Sequence, residues 1–199
     1  MTRENTIDLV SRDEATGTVK EVYDEIISSR SGEIDEEASL NRLWTVYGNT
    51  PELLDIFWDH IKETYRGGSL SFDLKHKVAL VVATVMECEG CKFFHSSTLE
   101  SEGVDDEEIQ EIQEQELEEV GFSRKEYEIL KFTEKAATDS HGIRDEEFEE
   151  LREVGLSESE IVELIDCIAV HAHIAILLGA TGVSYEGMQE QEFLGPVEN

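Results

Sequence analysis

Apolar residues recur every three or four positions along most of this chain, and the alternation of apolar and polar residues typical of β-strands is nearly absent. A spacing of three and four residues places side chains on one face of an α-helix. The pattern therefore predicts an all-α protein. The helical segments that it indicates are residues 19–27, 51–65, 74–86, 127–137 and 161–178.

Two stretches 52 residues apart share one pattern of helix ending and helix start: residues 103–109 (GVDDEEI) and 155–161 (GLSESEI). In each, a glycine ends one helix, an apolar residue follows, and an Asp or Ser caps the next helix. A Glu then stands three residues further on, at the capping-box position. A helix ending followed directly by a new helix start is common in helical proteins. The same offset of 52 residues, however, also superimposes the helix from Leu74 on the helix from Glu126. We therefore predict a duplicated helical hairpin.

The length of 199 residues fits one sizeable core, so we predict a single domain over 1–199. Asp and Glu number 47 against 16 Lys and Arg, giving a formal net charge of -31. Three explanations compete: an acidic surface for a basic partner, an acidic tail, or adaptation to concentrated salt. The acidic residues recur along the chain, for example in residues 33–37, 105–119, 145–153 and 158–163.

This distribution favours an acidic coat over the whole surface and an extremely halophilic source. Near-molar salt shortens the Debye length to about 3 Å, so that the repulsion between these carboxylates would be screened. The same coat argues against nucleic-acid binding, because no basic stripe is available to neutralise phosphates.

The first residues of the chain, 1–17, lack the apolar core of a secretory signal, and no apolar run reaches the length needed to cross a bilayer. Three cysteines are an odd number for a structural disulfide framework. We therefore predict a cytoplasmic protein with no membrane partner. A CxxC pair in such a protein points to redox chemistry or to a metal.

The strongest chemical signal is Cys88, Cys91 and His95. An apolar helix leads to Cys88, Gly90 permits the turn into a second helix, and Cys91 is expected in the first turn of that helix. Free N–H groups and the helix dipole lower a thiol pKa there, which favours a nucleophilic thiolate. The two-residue spacing lets one thiol resolve an adduct formed on the other. His95 lies one turn after Cys91 and can shuttle a proton.

Other interpretations stand beside this one. The two cysteines can be small core residues or half of a zinc site, although zinc normally has four ligands. A fourth ligand could come from Cys167, which lies in an apolar helix and fits a core thiol better.

Four more residues are candidates near the thiols. His76 can serve as a base or can be an exposed histidine between two lysines, and Glu87 can contact a thiol or simply be solvated. His171 and His173 are two residues apart on a helix and cannot share a face, so one of them can point into the site. The alternative is that both serve packing or hydrogen bonding at an interface.

Taken together, the apolar helix, the CxxCxxxH motif and the following helix ending in GVDDEEI resemble the carboxymuconolactone decarboxylase and alkylhydroperoxidase D (AhpD) superfamily. The resemblance covers about residues 40–183. It implies an AhpD-like helical bundle, assembled as a homo-oligomer of three or six chains. It also implies Cys91 as the attacking thiol, Cys88 as the resolving thiol and His95 as the final histidine of the family motif. His76 and Gly90 occupy the positions of the family's glutamate and inner histidine.

These observations predict a thiol-dependent antioxidant oxidoreductase that reduces a hydroperoxide or disulfide substrate. An external dithiol reductant would reset it, and no bound cofactor or metal is expected. The alternatives are a carboxymuconolactone decarboxylase-like enzyme and a non-enzymatic, redox-sensing oligomer. The predicted catalytic residues are Cys91, Cys88, His95, His76 and Glu87.

Overall fold

The computed structural model of the chain describes residues 7–29, 40, 42–117 and 121–183, and these residues form helices without any strand. The all-α prediction is confirmed. The ends of the predicted domain, residues 1–6 and 184–199, lie outside the described residues. The helices are α1 (Gly17–Ser28), α2 (Arg42–Tyr47), α3 (Pro51–Arg66), α4 (Phe72–Val85), α5 (Glu89–Ser101), α6 (Asp106–Glu114), α7 (Arg124–Asp139), α8 (Asp145–Glu153) and α9 (Glu158–Thr181), with a 3-10 turn at Ser140–Gly142.

The chain divides into two compact units. The first comprises residues 1–67 and 176–199 and contains α1 to α3. Its core is aromatic: the rings of Trp44 and Trp58 meet edge to face with centroids 5.4 Å apart. The hydroxyl group of Tyr23, on α1, donates a hydrogen bond to the carbonyl of Trp44 at 3.0 Å. Large aromatic rings, together with buried aliphatic residues such as Ile26, Leu54 and Ile61, thus form the core of this unit.

The second unit, residues 68–175, is built around α4, which packs against α5, α6 and α7. Every side chain from Leu74 to Thr84 is buried. This includes Lys75, which is 1% exposed and pairs with Glu163 at 2.8 Å. Lys77 is also buried, with two carboxylates around its ammonium group. Because charges are buried only when they are paired, α4 can be surrounded on all sides despite its two lysines.

The predicted duplication is visible in the helix boundaries of this second unit. Helix α4 begins at residue 72 and α7 at 124; α5 ends at 101 and α8 at 153; α6 begins at 106 and α9 at 158, so each pair is 52 residues apart. The backbone bonds repeat as well. The N–H of Val104 binds the carbonyl of Leu99 at 3.0 Å, and the N–H of Leu156 binds that of Leu151 at 3.1 Å. Both leucines are fully buried, so the repeat extends to the core.

The two predicted capping boxes have different outcomes. At the start of α9, Ser157 and Glu160 form the full reciprocal pair: each side chain accepts the backbone N–H of the other residue. At the start of α6, Asp105 accepts the N–H of Glu107 at 2.9 Å. Glu108, expected to complete that box, instead binds the buried lysine of α4 at 2.6 Å. A buried ammonium group needs its carboxylate more than an exposed N–H does.

Helix α9 corrects one expectation from the sequence. No apolar run was expected to be long enough to cross a bilayer, yet the 24 residues of α9 are long and apolar enough by length and composition. Half of its most apolar window is buried within the structure, and a core helix of a globular unit meets the same criterion. Leu164 and Cys167 lie in the core of the second unit, so burial there accounts for part of this apolar character.

Candidate active site

The turn between α4 and α5 is made by Glu87, where Gly90 had been expected. Glu87 has a left-handed backbone with φ of 54°, and Gly90 lies inside α5. The N–H of Cys88 binds the carbonyl of Ala83 at 2.9 Å, and the N–H of Glu87 binds that of Thr84 at 3.1 Å. These are the two bonds of a Schellman ending, which requires a left-handed residue at the position of Glu87. The Glu87 side chain is exposed.

The two cysteines lie at the beginning of α5. Cys88 is the N-cap residue, and Cys91 is in the first turn, as predicted. Their sulfurs are joined in a disulfide, with the Cα atoms 5.2 Å apart. Cys88 is half-buried, whereas Cys91 is only 5% exposed. In the reduced protein, the N-terminal end of α5 would favour the thiolate form of Cys91.

A pair of buried histidines connects α4 with α5. The Nδ1 atoms of His76 and His95 are 3.0 Å apart, and the two side chains are 1% and 5% exposed. One Nδ1 must donate and the other accept, so the two neutral rings share a single Nδ1 hydrogen. The exposed alternative for His76 is wrong, because α4 is packed on every side. His95 also lies one turn after Cys91 on the same helix.

Electrostatics keep this histidine pair uncharged. Burial lowers the pKa of His76 well below its ordinary value of 6.5, and the nearby His171 lowers it further. The pKa of His95 is lowered well below 6.5 by burial, by His171 and by His76. A neutral imidazole has a ring nitrogen with a lone pair. Both rings are therefore neutral at neutral pH and can accept a proton, and His95 lies one helical turn after Cys91.

Two aromatic rings surround the histidine pair, and neither was among the predicted site residues. The ring of Phe72 lies 4.4 Å from that of His76, and the ring of Phe94 lies 5.0 Å from that of His95. Phe72 precedes His76 by four residues on one helix, and Phe94 is adjacent to His95. The helical spacing of Phe72 was a usable signal for contact, but such a residue is ordinarily read as core.

The structure separates the remaining candidates. The ring of His171 lies 5.0 Å from that of His95 and is buried, whereas His173 is exposed. Cys167 is fully buried, and burial raises the pKa of its thiol to about 12, which fits the interpretation as a core thiol. Within residues 7–29, 40, 42–117 and 121–183, no group of three or more His, Cys, Asp or Glu side chains is arranged to hold a metal ion.

The helical bundle has an AhpD-like fold, with the two cysteines at a helix N-terminus. The model of the carboxymuconolactone decarboxylase family matches residues 51–135, a range that includes both cysteines and both paired histidines. No curated protein matches the sequence.

Three solved structures share the fold. An uncharacterized peroxidase-related protein from Silicibacter sp. TM1040 has a TM-score of 0.76 at 17% identity, over 95% of this chain and 97% of that one. A peroxidase-related protein with an AhpD core from Ralstonia eutropha JMP134 has a TM-score of 0.73 at 14% identity, over 92% and 96%. A cysteine-to-alanine variant of the debrominase Bmp8, in complex with 2,3,4-tribromopyrrole, has a TM-score of 0.72 at 18% identity, over 93% and 95%.

At these identities the likeness concerns the fold alone. The shared fold and the family match at residues 51–135 both agree with the resemblance that the CxxCxxxH motif indicates. The match over residues 51–135 and the shared fold thus support the resemblance to the carboxymuconolactone decarboxylase/AhpD superfamily, whose members are usually enzymes.

Proposed function

We propose that this protein is a thiol-dependent antioxidant oxidoreductase that reduces a hydroperoxide at Cys91. The observation that carries the proposal is the position of the Cys88–Cys91 pair at the N-terminus of α5, one turn before a buried and neutral histidine pair. A helix N-terminus favours the thiolate, and a neutral imidazole can take its proton. Nucleophile and base thus stand on neighbouring turns of one helix.

The reaction begins with the reduced dithiol. Cys91 gives its proton to the pair of His95 and His76, and the thiolate attacks a peroxide oxygen. The S–O bond forms as the O–O bond breaks, and the alkoxide that leaves takes the proton back. Cys91 is now a sulfenic acid. The thiol of Cys88 attacks this sulfur, water leaves with the Cys88 proton, and the disulfide closes.

An external dithiol then resets the enzyme. Its thiolate attacks the sulfur of Cys88, and Cys91 leaves as the thiolate that the helix N-terminus favours. The second thiol of the reductant breaks the mixed disulfide and releases Cys88. The greater exposure of Cys88 supports this direction of attack, because Cys91 is only 5% exposed.

The test is a thiol titration with intact-mass analysis, in concentrated salt, before and after one equivalent of an organic hydroperoxide. We expect the wild type to lose two of its three thiols and to form the Cys88–Cys91 disulfide. Cys91→Ser is expected to consume no peroxide. The matched control is Cys167→Ala, which removes the buried third thiol and is expected to behave as the wild type.

The two alternatives give different results in the same assay. A decarboxylase-like enzyme would not need the thiols, so peroxide consumption would be equal in wild type and Cys91→Ser, which would reject the proposal. A redox sensor would form the disulfide slowly and would show no turnover when a dithiol reductant is added.

We further infer a cytoplasmic homo-oligomer, of three or six chains, in a cell with concentrated salt. The charge of -31 supports the salt adaptation. Val162 and Ile165 support the assembly, since both are exposed apolar residues near each other on α9, in the second unit. Sedimentation equilibrium in concentrated salt tests the assembly, and a monomer would reject it.

A further inference from the structure

His171 is held in one orientation by a backbone bond. Its Nδ1 lies 2.7 Å from the carbonyl oxygen of Cys167, one turn earlier on α9. A carbonyl oxygen can only accept, so Nδ1 must carry the hydrogen. The neutral ring therefore has its lone pair on Nε2. With the ring 4% exposed, both the tautomer and the orientation of His171 are fixed by its own helix.

This ring also belongs to the histidine cluster at the dithiol. Its centroid lies 5.0 Å from that of His95, and the two planes meet edge to face. His76, His95 and His171 come from α4, α5 and α9, so that three helices each contribute one buried imidazole. A positive charge on any one of them opposes a charge on the others, which makes the three rings a coupled set.

We propose that His171 is a positioning residue of the dithiol site: it holds the ring of His95 in place and keeps the His76–His95 pair empty of protons until Cys91 delivers one. This inference rests on the proposed function and adds to it a residue 76 positions beyond His95 in the chain. His171 itself need not touch the peroxide. Its effect reaches the reacting atoms through His95.

The other ionisable groups close to His171 in the fold are Cys167, Lys75 and Asp166. Cys167 lies beside it on α9 with a thiol whose pKa is raised by burial. The ammonium group of Lys75, on α4, is paired with Glu163 at 2.8 Å. Asp166 is exposed on the outer face of α9. The histidines of α4 and α5 are therefore the groups to which a charge on His171 is coupled most directly.

The direction of the effect follows from the geometry. Positive charges on His95 and His171, whose ring centroids are 5.0 Å apart, repel each other, and the repulsion is stronger in a buried site than in bulk water. Because His171 also lowers the pKa of His76, removal of the His171 imidazole is expected to raise the titration midpoints of both His95 and His76.

The test is an NMR titration of the histidine rings in the full-length, disulfide-bonded protein. His171→Asn keeps an N–H donor near the Nδ1 position and removes the ionisable ring. His173→Asn is the matched control, because that exposed histidine is two residues away on the same helix. We expect higher midpoints for His76 and His95 in His171→Asn and wild-type midpoints in His173→Asn. Unchanged midpoints in His171→Asn would overturn the proposal.

A second measurement needs no variant and therefore does not depend on whether His171→Asn folds. The 15N shifts of the wild-type protein are expected to show His171 protonated at Nδ1 and unprotonated at Nε2 at neutral pH. The opposite tautomer would overturn the proposal.

Both measurements use the oxidised protein without peroxide, so they can fail while the proposed function stands, and the reverse. In the active enzyme, the acid limb of kcat/KM for hydroperoxide is expected to move to higher pH in His171→Asn. If His171 had a purely structural role, His171→Asn would lower kcat/KM without changing the pH midpoint of the acid limb.

Discussion

Mild acid is expected to destabilise the folded protein through His76 and His95. Both rings are buried and their pKa values are lowered well below 6.5, first by burial and then by neighbouring histidines. In the unfolded chain the same side chains titrate near the ordinary value. Below pH 6.5 the unfolded chain therefore binds more protons than the folded one. Stability is then fully present above pH 6.5 and is lost as the pH falls toward the folded-state pKa.

The magnitude follows from the linkage relation. Each histidine that stays neutral in the folded state costs at most about 1.4 kcal/mol of unfolding free energy for each pH unit below 6.5. At pH 5.5 the cost is therefore at most about 3 kcal/mol for the two rings together. A domain of this size has an unfolding free energy of about 5–15 kcal/mol, so the loss is measurable.

The assay is denaturant unfolding of the oxidised protein at pH 7.5, 6.5 and 5.5 in constant, concentrated salt. The double variant His76→Gln with His95→Gln separates these rings from the many carboxylates, which also titrate in acid. His141→Gln, at an exposed position in the second unit, is the control. Wild type and control are expected to lose about 2–3 kcal/mol more than the double variant between pH 7.5 and 5.5. An equal loss in all three proteins would refute the reasoning.

Three further outcomes are expected. Glu163→Ala removes the carboxylate that binds Lys75 and accepts hydrogen bonds from the N–H groups of Ser69 and Leu70. Denaturant unfolding is expected to show that this variant loses about 3–5 kcal/mol of unfolding free energy. Lys75→Met leaves no buried charge and is expected to lose clearly less. Glycine adopts the φ of 54° found at Glu87 more easily than glutamate does, so Glu87→Gly is expected to add about 0.5–1 kcal/mol of unfolding free energy. Peroxide consumption is expected to stay unchanged. A large loss of activity would instead assign Glu87 the predicted catalytic role. Dilution from near-molar salt to about 0.1 M lengthens the Debye length from about 3 to about 10 Å, which strengthens the repulsion between the surface carboxylates. Circular dichroism is therefore expected to show unfolding. Complete retention of helix would contradict the salt adaptation.

The features that could be predicted from the sequence are those that depend on neighbours within one or two helical turns. Helix positions, the 52-residue repeat and the placement of Cys91 in the first turn of α5 all follow from spacings of three or four residues and from capping residues. The relation of His95 to Cys91 is of the same kind, since a helix fixes it. The turn at Glu87 was missed because a glycine stood nearby, while the Schellman ending of α4 selected a non-glycine residue.

What only the tertiary structure decided is which side chains from different helices meet. His76 and His95 are 19 residues apart and His171 lies on a third helix, so no local spacing relates the three rings. The burial of Lys75 was likewise unpredictable, because a lysine is buried only where the fold brings it a carboxylate, here Glu163 from α9. The sequence alone thus determined the helices and the dithiol motif, since those are local. The packing of α4 inside its neighbours determined the neutral pair of His76 and His95, since burial is a property of the whole fold.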